Sequence, residues 1–247
     1  MTKRITTKLI TLPIALLTAI GLYGCSKKFS DEEINTLYNA VLAPVTKPLN
    51  VYHLGHSLVG EDMPMMLAQL AGEKHQFSSQ LGWGATLQSH WDPNIPINGF
   101  ESSNKHAEYR DPMVAIESQE YDAFIMTEMV EIEDAIKYFN SSEYLAKFAT
   151  KISNDSPKTT IYLYESWHRV TDPAGWLHRL DNDLKQYWED EILLKALAKI
   201  NRDKNITIYM IPVGQVMSAF FKEVERLGGI GNIKQPEDIF KRQDEDG

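Results

Sequence analysis

A serine presented after a short apolar run and a glycine is a candidate nucleophile, and this chain has one. In Val51-Tyr52-His53-Leu54-Gly55-His56-Ser57-Leu58-Val59-Gly60 the run stops at Gly55, Ser57 follows, and a helical pattern begins near Glu61. A serine at the tip of the first strand of an α/β sheet sits where such sheets bind ligands, outside the carboxyl ends of their strands. Serine is also a favoured helix N-cap, so Ser57 has a purely local alternative. Downstream, Leu81-Gly82-Trp83-Gly84-Ala85-Thr86-Leu87 offers two glycines where backbone amides can approach a ligand closely. Two more polar clusters follow apolar strands: Thr127-Glu128-Met129-Val130-Glu131 and Tyr164-Glu165-Ser166-Trp167-His168-Arg169. Trp167 and His168 are candidates for a wall against an apolar or sugar-like substrate, with ordinary packing as the alternative. Glu128 and Glu131 have a plain reading as solvated residues at a helix start. His53 is expected to pack from its strand.

The elements that must position these residues alternate. Strand-like stretches run over Asn50 to Leu54, His75 to Leu81, Asp122 to Thr127, Thr159 to Tyr164 and Asn205 to Ile211. Helical patterns lie between them: Met63 to Leu70, Ala85 to Trp91, and His106 to Gln119, where Pro112 interrupts or begins a second segment. A long amphipathic stretch covers Glu131 to Ile152, and further helices Gly175 to Ile200 and Val213 to Leu227, the last stopping at Gly228-Gly229. Five strands alternating with helices predict a flavodoxin-like α/β three-layer sandwich with a five-stranded parallel sheet. Ser57 would then face the crevice beside the first strand.

The composition narrows the function classes. The 247 residues are 43% hydrophobic and carry 25 Lys plus Arg against 34 Asp plus Glu, a formal charge of -9. Such acidity argues against non-specific nucleic-acid binding, which depends on neutralising phosphates. There is no H-E-x-x-H, no cysteine pair, no Walker sequence and no G-x-G-x-x-G, so neither a metal nor a cofactor is expected. Residues 1–24 read as a secretory signal: Lys3, Arg4 and Lys8, then an apolar stretch from Leu9 to Leu22. The chain's single cysteine, Cys25, closes Leu22-Tyr23-Gly24-Cys25, which looks like a bacterial lipobox. Cys25 would carry lipid and anchor the protein to a membrane of the cell envelope; an uncleaved anchor is the alternative. Residues 25–49 form a tether with a short helix over Asp31 to Leu42, and 50–247 form the globular domain.

Several stretches resemble the SGNH, or GDSL-like, hydrolase superfamily, whose members are flavodoxin-like with a serine just after the first strand. Leu54-Gly55-His56-Ser57-Leu58 is similar to the G-N-S-L variant of block I, with His56 in place of asparagine. Leu81 to Leu87 fits block II, and the resemblance covers roughly Asn50 to Gly214. It implies a serine acyl-ester hydrolase or acyltransferase acting on a small ester or an acylated glycan. Ser57 would be nucleophile, with oxyanion donors from the amides of Ser57 and Gly84, and Gly82 as fallback. His56, Gly82, Trp83, Glu128, Trp167 and His168 would border the substrate. Where block III supplies a donating asparagine, Glu128 stands here, and an ionised carboxylate cannot donate. A protonated Glu128 in an apolar pocket can, or it can orient His56 or a substrate hydroxyl. The family's Asp-x-x-His block, which carries the general base, has no match, since no histidine follows His178. Either the chain stops short of that block, which we expect, or the protein lacks a conventional dyad. Asp244 and Asp246 are more readily tail charges than triad members. The competing class is a non-catalytic binding or assembly lipoprotein that keeps the hydrolase fold.

Overall fold

The computed structural model describes residues 42, 45–72, 74–200 and 206–240. The signal segment, Cys25, most of the short helix expected over Asp31 to Leu42, and the acidic tail with Asp244 and Asp246 lie outside the described residues.

Five parallel strands, β1 (Asn50–His56), β2 (Gln76–Gly82), β3 (Ala123–Met126), β4 (Thr160–Glu165) and β5 (Ile208–Pro212), assemble in the order β2-β1-β3-β4-β5. This is the flavodoxin-like order, and it puts the topological switch between β1 and β3. The register pairs Asn50 with Gln76 and ends at His56 with Gly82. Residues 57 and 83–84 therefore emerge side by side at the carboxyl edge.

Alternation along the strands separates two faces. Tyr52, Leu54, Phe124, Met126, Ile161, Leu163 and Ile208 belong to the main core. Helices α4 (Pro112–Ser118) and α6 (Ser141–Asp155) cover that face with α8 (Leu194–Ile200), burying Ile116, Leu145, Phe148, Ile152 and Leu197. Fully burying one such side chain contributes about 2–3 kcal/mol. On the other side lie α1 (Asp62–Ala71) and α9 (Val213–Leu227). This layer is thinner. Pro64 is the one residue of α1 that is buried, while Met66 and Leu70 are exposed. Met63 borders a small hollow with His53, Val59, Ile125, Thr127 and Tyr164. The inner face of α9 packs instead on α7 (Trp176–Asp183), joining Phe221 and Val224 to Trp176 and Leu180 in a second cluster.

Three segments depart from the sequence-based expectation. The helix expected over His106 to Gln119 begins only at Pro112, because Asp111 caps it through Met113 and Val114 N–H groups and proline suits the first turn. The stretch from Glu131 to Ile152 splits into α5 (Ile132–Tyr138) and α6, since Asn140 takes the left-handed conformation at φ 52. Between α7 and α8 the chain does not break but widens into a π-helix, Leu184–Leu193. Its inward residues Leu184, Trp188, Leu193 and Leu197 recur every four or five positions, longer than the 3.6-residue α period. Short pieces complete the fold: α2 (Leu87–Trp91), α3 (Phe100–Ser103) in a stretch expected as loop, and a 3₁₀ turn, Pro236–Ile239. Among the described residues no helix is long and apolar enough to cross a membrane.

Candidate functional site

Ser57 follows directly on β1 and is exposed. It does not cap α1, whose N-cap is Glu61 with no side-chain cap hydrogen bond. Instead it rides on a tight turn in which Val59 and Gly60 N–H donate to the His56 carbonyl at 3.0 and 3.1 Å. Gly60 closes that turn at φ +56. Gly55 sits where no side chain fits: a Cβ there would lie 2.7 Å from Val59 and 2.8 Å from Thr127. The turn is thereby drawn down onto β1 and β3, leaving the Ser57 side chain on the outside.

Across the register, Gly82, Trp83 and Gly84 continue from β2. Gly84 is exposed at φ +55 with nothing within 4 Å of where a Cβ would be, so the space above it is open. Gly82 is covered: a Cβ would fall 2.0 Å from the Ile97 side chain. The strap 97–99 is fixed by Trp83 N–H donating to the Asn98 carbonyl at 2.8 Å. Trp83 itself is 59% exposed. Of the two glycines, Gly84 has the open approach that an oxyanion needs.

Behind this surface lies a buried polar layer. His56 is fully buried, and its Nδ1 accepts from Leu58 N–H at 3.2 Å. Nε2 must then hold the proton; it faces the Glu128 backbone outside hydrogen-bond geometry. Burial lowers the His56 pKa to about 4, the Glu128 backbone opposing, so the ring is neutral. His90, on α2, is also buried, with Nε2 donating to the Gly55 carbonyl at 3.0 Å and Nδ1 accepting from Gln80 Nε2 at 2.9 Å. Its pKa too falls to about 4, chiefly through burial. Thr86 caps α2 in a reciprocal pair with Ser89.

Glu128 stands at the end of β3 and is fully buried. One oxygen accepts from Met129 N–H at 2.9 Å and Leu87 N–H at 3.3 Å. The other has no partner in hydrogen-bond geometry. Burial raises its pKa to about 7, with the Met129 amide, the Ser141 hydroxyl and the Leu87 amide pulling the other way. Near neutral pH a large share of the group is therefore the protonated, donating acid. It lies beneath the surface together with His56, so neither is placed at the ligand-facing edge expected for it.

At the end of β4, His168 is buried and joined to Asp183, Nε2 to carboxylate at 2.5 Å. Arg179 ties the pair together, bonding Asp183 through Nε at 2.8 and 3.1 Å, Asp172 at 3.1 Å and His168 at 2.9 Å. Trp176 Nε1 donates to the His168 carbonyl at 2.9 Å. His168 is thus a structural keystone of the α7 end. Trp167 is half-buried, packs toward Phe240 and keeps a buried indole N–H without a partner.

Two polar groups had escaped attention in the sequence. Glu165, the last residue of β4, is buried beneath Gly214 and accepts from Gln215 Nε2 at 3.0 Å. Burial raises its pKa to about 7 against the Gln215 and Gly214 hydrogen bonds, and the Asp183 charge adds to the rise. Strand parity was the available signal, because Ile161, Leu163 and Glu165 point the same way. His90 shares a helix face with Leu87 and Trp91 at i, i+3, i+4 spacing, which marks it as an inward residue.

Among the described residues no side chain hydrogen-bonds Ser57, and no group of three or more His, Cys, Asp or Glu side chains is placed to hold a metal. A shallow hollow of about 430 Å³ lies away from this edge, between α6 and α8, bordered by Trp91, Glu143, Lys147, Lys151 and Lys199.

No family model and no curated protein matches the chain. Among solved structures it is similar to protein YxiM of Bacillus subtilis, at 16% identity over 75% of this chain and 49% of that chain, TM-score 0.44. The chain thus spans about half the length of that protein. It is also similar to a Myceliophthora fergusii carbohydrate esterase family 2 enzyme with a carbohydrate binding domain, at 13% identity over 76% and 69% of the two chains, TM-score 0.36.

Proposed function

We propose that this chain is an SGNH-type serine acyl-ester hydrolase or acyltransferase acting on a small ester or an acylated glycan. One observation carries the reading: exposed Ser57 at the switch point of the sheet, in register beside an open, positive-φ Gly84. In the reaction Ser57 Oγ attacks the ester carbonyl and the oxyanion forms against the Gly84 amide. The carbon–alkoxy bond then breaks, the alcohol leaves with the serine proton, and the acyl group passes from Ser57 to water or to a second alcohol. A single oxyanion donor of this type is worth about 3 kcal/mol of transition-state stabilisation.

A second reading, a non-catalytic envelope-binding or assembly protein, is favoured by one fact. Among the described residues His56, His90 and His168 are all buried, and each is tied to groups other than Ser57. Fluorophosphonate labelling separates the two. Labelling that disappears in Ser57→Ala supports the enzyme, and equal labelling of both proteins removes Ser57 as nucleophile.

From residues 1–25 we further propose a lipid anchor on Cys25 that holds the domain at an envelope membrane. Failure of the full chain to incorporate labelled palmitate at Cys25 overturns it.

A further inference from the structure

We propose that Trp83 is the platform for a sugar ring in the alcohol half of the ester, and so sets the substrate class. The inference rests on the serine-hydrolase reading above and adds the partner that the crevice selects.

Trp83 is a large aromatic side chain that the fold keeps in water at a fixed angle. Its backbone is tied to Asn98, and one indole face lies against the backbone of Gly99. A Cβ at residue 99 would be 2.3 Å from Cδ2 and 2.4 Å from Cε2, so that seal requires glycine, which also holds φ +65. The opposite face remains open, one residue beyond the last register pair, His56 with Gly82. A rigid, half-sealed indole beside a nucleophile has already lost the side-chain freedom that binding would otherwise cost.

The shape of the surface selects the ligand. A long acyl chain needs a concave apolar cleft to enclose it. The hollow between α6 and α8 and the one around His53 both lie away from Ser57. What stands beside Ser57 is a single flat aromatic face, with exposed Asn98, Glu101 and Ser102 on the adjoining strap. A pyranose ring fits this pairing, because its axial C–H groups form an apolar face that stacks on the indole while its rim hydroxyls meet polar side chains. Ser57 would then be offered an acyl group carried on the ring's hydroxyl.

The test compares the full-length wild type with Trp83→Ala and Trp83→Phe on acetylated xylotriose and on 4-nitrophenyl acetate. Trp83→Ala should raise KM for the acetylated sugar by about tenfold, the scale of one stacking contact. Activity on 4-nitrophenyl acetate should stay within about twofold, and Trp83→Phe should recover most of the loss. An equal fall on both esters, or no change on either, overturns the platform. Titrating ¹⁵N-indole-labelled Ser57→Ala protein with xylotriose reads the platform independently of turnover. A shift of the Trp83 resonance without hydrolysis by the wild type would retain the platform and reject the enzyme. No shift rejects the platform itself.

Discussion

Replacing Glu128 with glutamine should convert a pH-dependent weakness of the fold into a pH-independent contact. The carboxyl ordinarily titrates at 4.5, and burial at the end of β3 raises it to about 7. The folded protein therefore keeps a proton that the unfolded chain has released. Stability from this group is complete below pH 4.5 and is lost as pH rises through 7. Each pH decade across that gap is worth about 1.4 kcal/mol, so the whole loss comes to about 3 kcal/mol. The amide oxygen of the Glu128→Gln variant can still accept from Met129 and Leu87 N–H, and the side chain carries no charge to desolvate. His53, His56 and His90, all lowered to about 4 by burial, act with the opposite sign. They cost stability as pH falls from 6.5 toward 4, but equally in both proteins, so they cancel in the difference. Urea unfolding of wild type and Glu128→Gln at pH 5, 6, 7 and 8 should show the variant gaining on the wild type by about 3 kcal/mol across the series. A difference that stays constant over this range refutes the argument that Glu128 is desolvated in the fold.

Two further changes test how the edge is built. Gln119 closes α4 in the left-handed conformation at φ 59, which costs a side-chain-bearing residue about 1 kcal/mol, so Gln119→Gly should raise the thermal midpoint; a lower midpoint would mean that the side chain contributes more than the backbone loses. Asp183→Ala should destabilise by about 3–5 kcal/mol in urea, because it strands buried Arg179 and His168 without their shared carboxylate; a loss under about 1 kcal/mol would show the network to be solvated.

The sheet order was legible because the strands are short apolar runs separated by amphipathic helices, and α9 ends where Gly228 allows φ +68. The position of Ser57 beside Gly84 was legible for the same reason: it depends on strand ends and register rather than on side-chain detail. The break at Asn140 was not, since apolar positions continue on both sides of it and only the backbone angle changes. The π-helix escaped because its four-to-five-residue spacing imitates a slightly irregular α-helix. Glu128 and Glu165 were misjudged in opposite ways. Charged residues at strand ends suggested exposure for Glu128 and drew no attention to Glu165, whereas alternation with Met126 and Leu163 turns both inward. Polarity predicts solvent contact on average, but parity decides it for a particular strand residue.

The thin packing of α1 bears on how the nucleophile turn moves. Backbone segments open locally with free energies set by what they bury, and α1 has Pro64 alone beneath it. Ser57 therefore belongs to the hinge between the most rigid strand of the sheet and one of its most loosely held helices. Loosening of α1 can swing the turn from Leu58 onward while His56, clamped in the buried layer, stays still. The chain has in effect set its serine on a spring anchored at one end, so the nucleophile can follow an acyl group without disturbing the sheet.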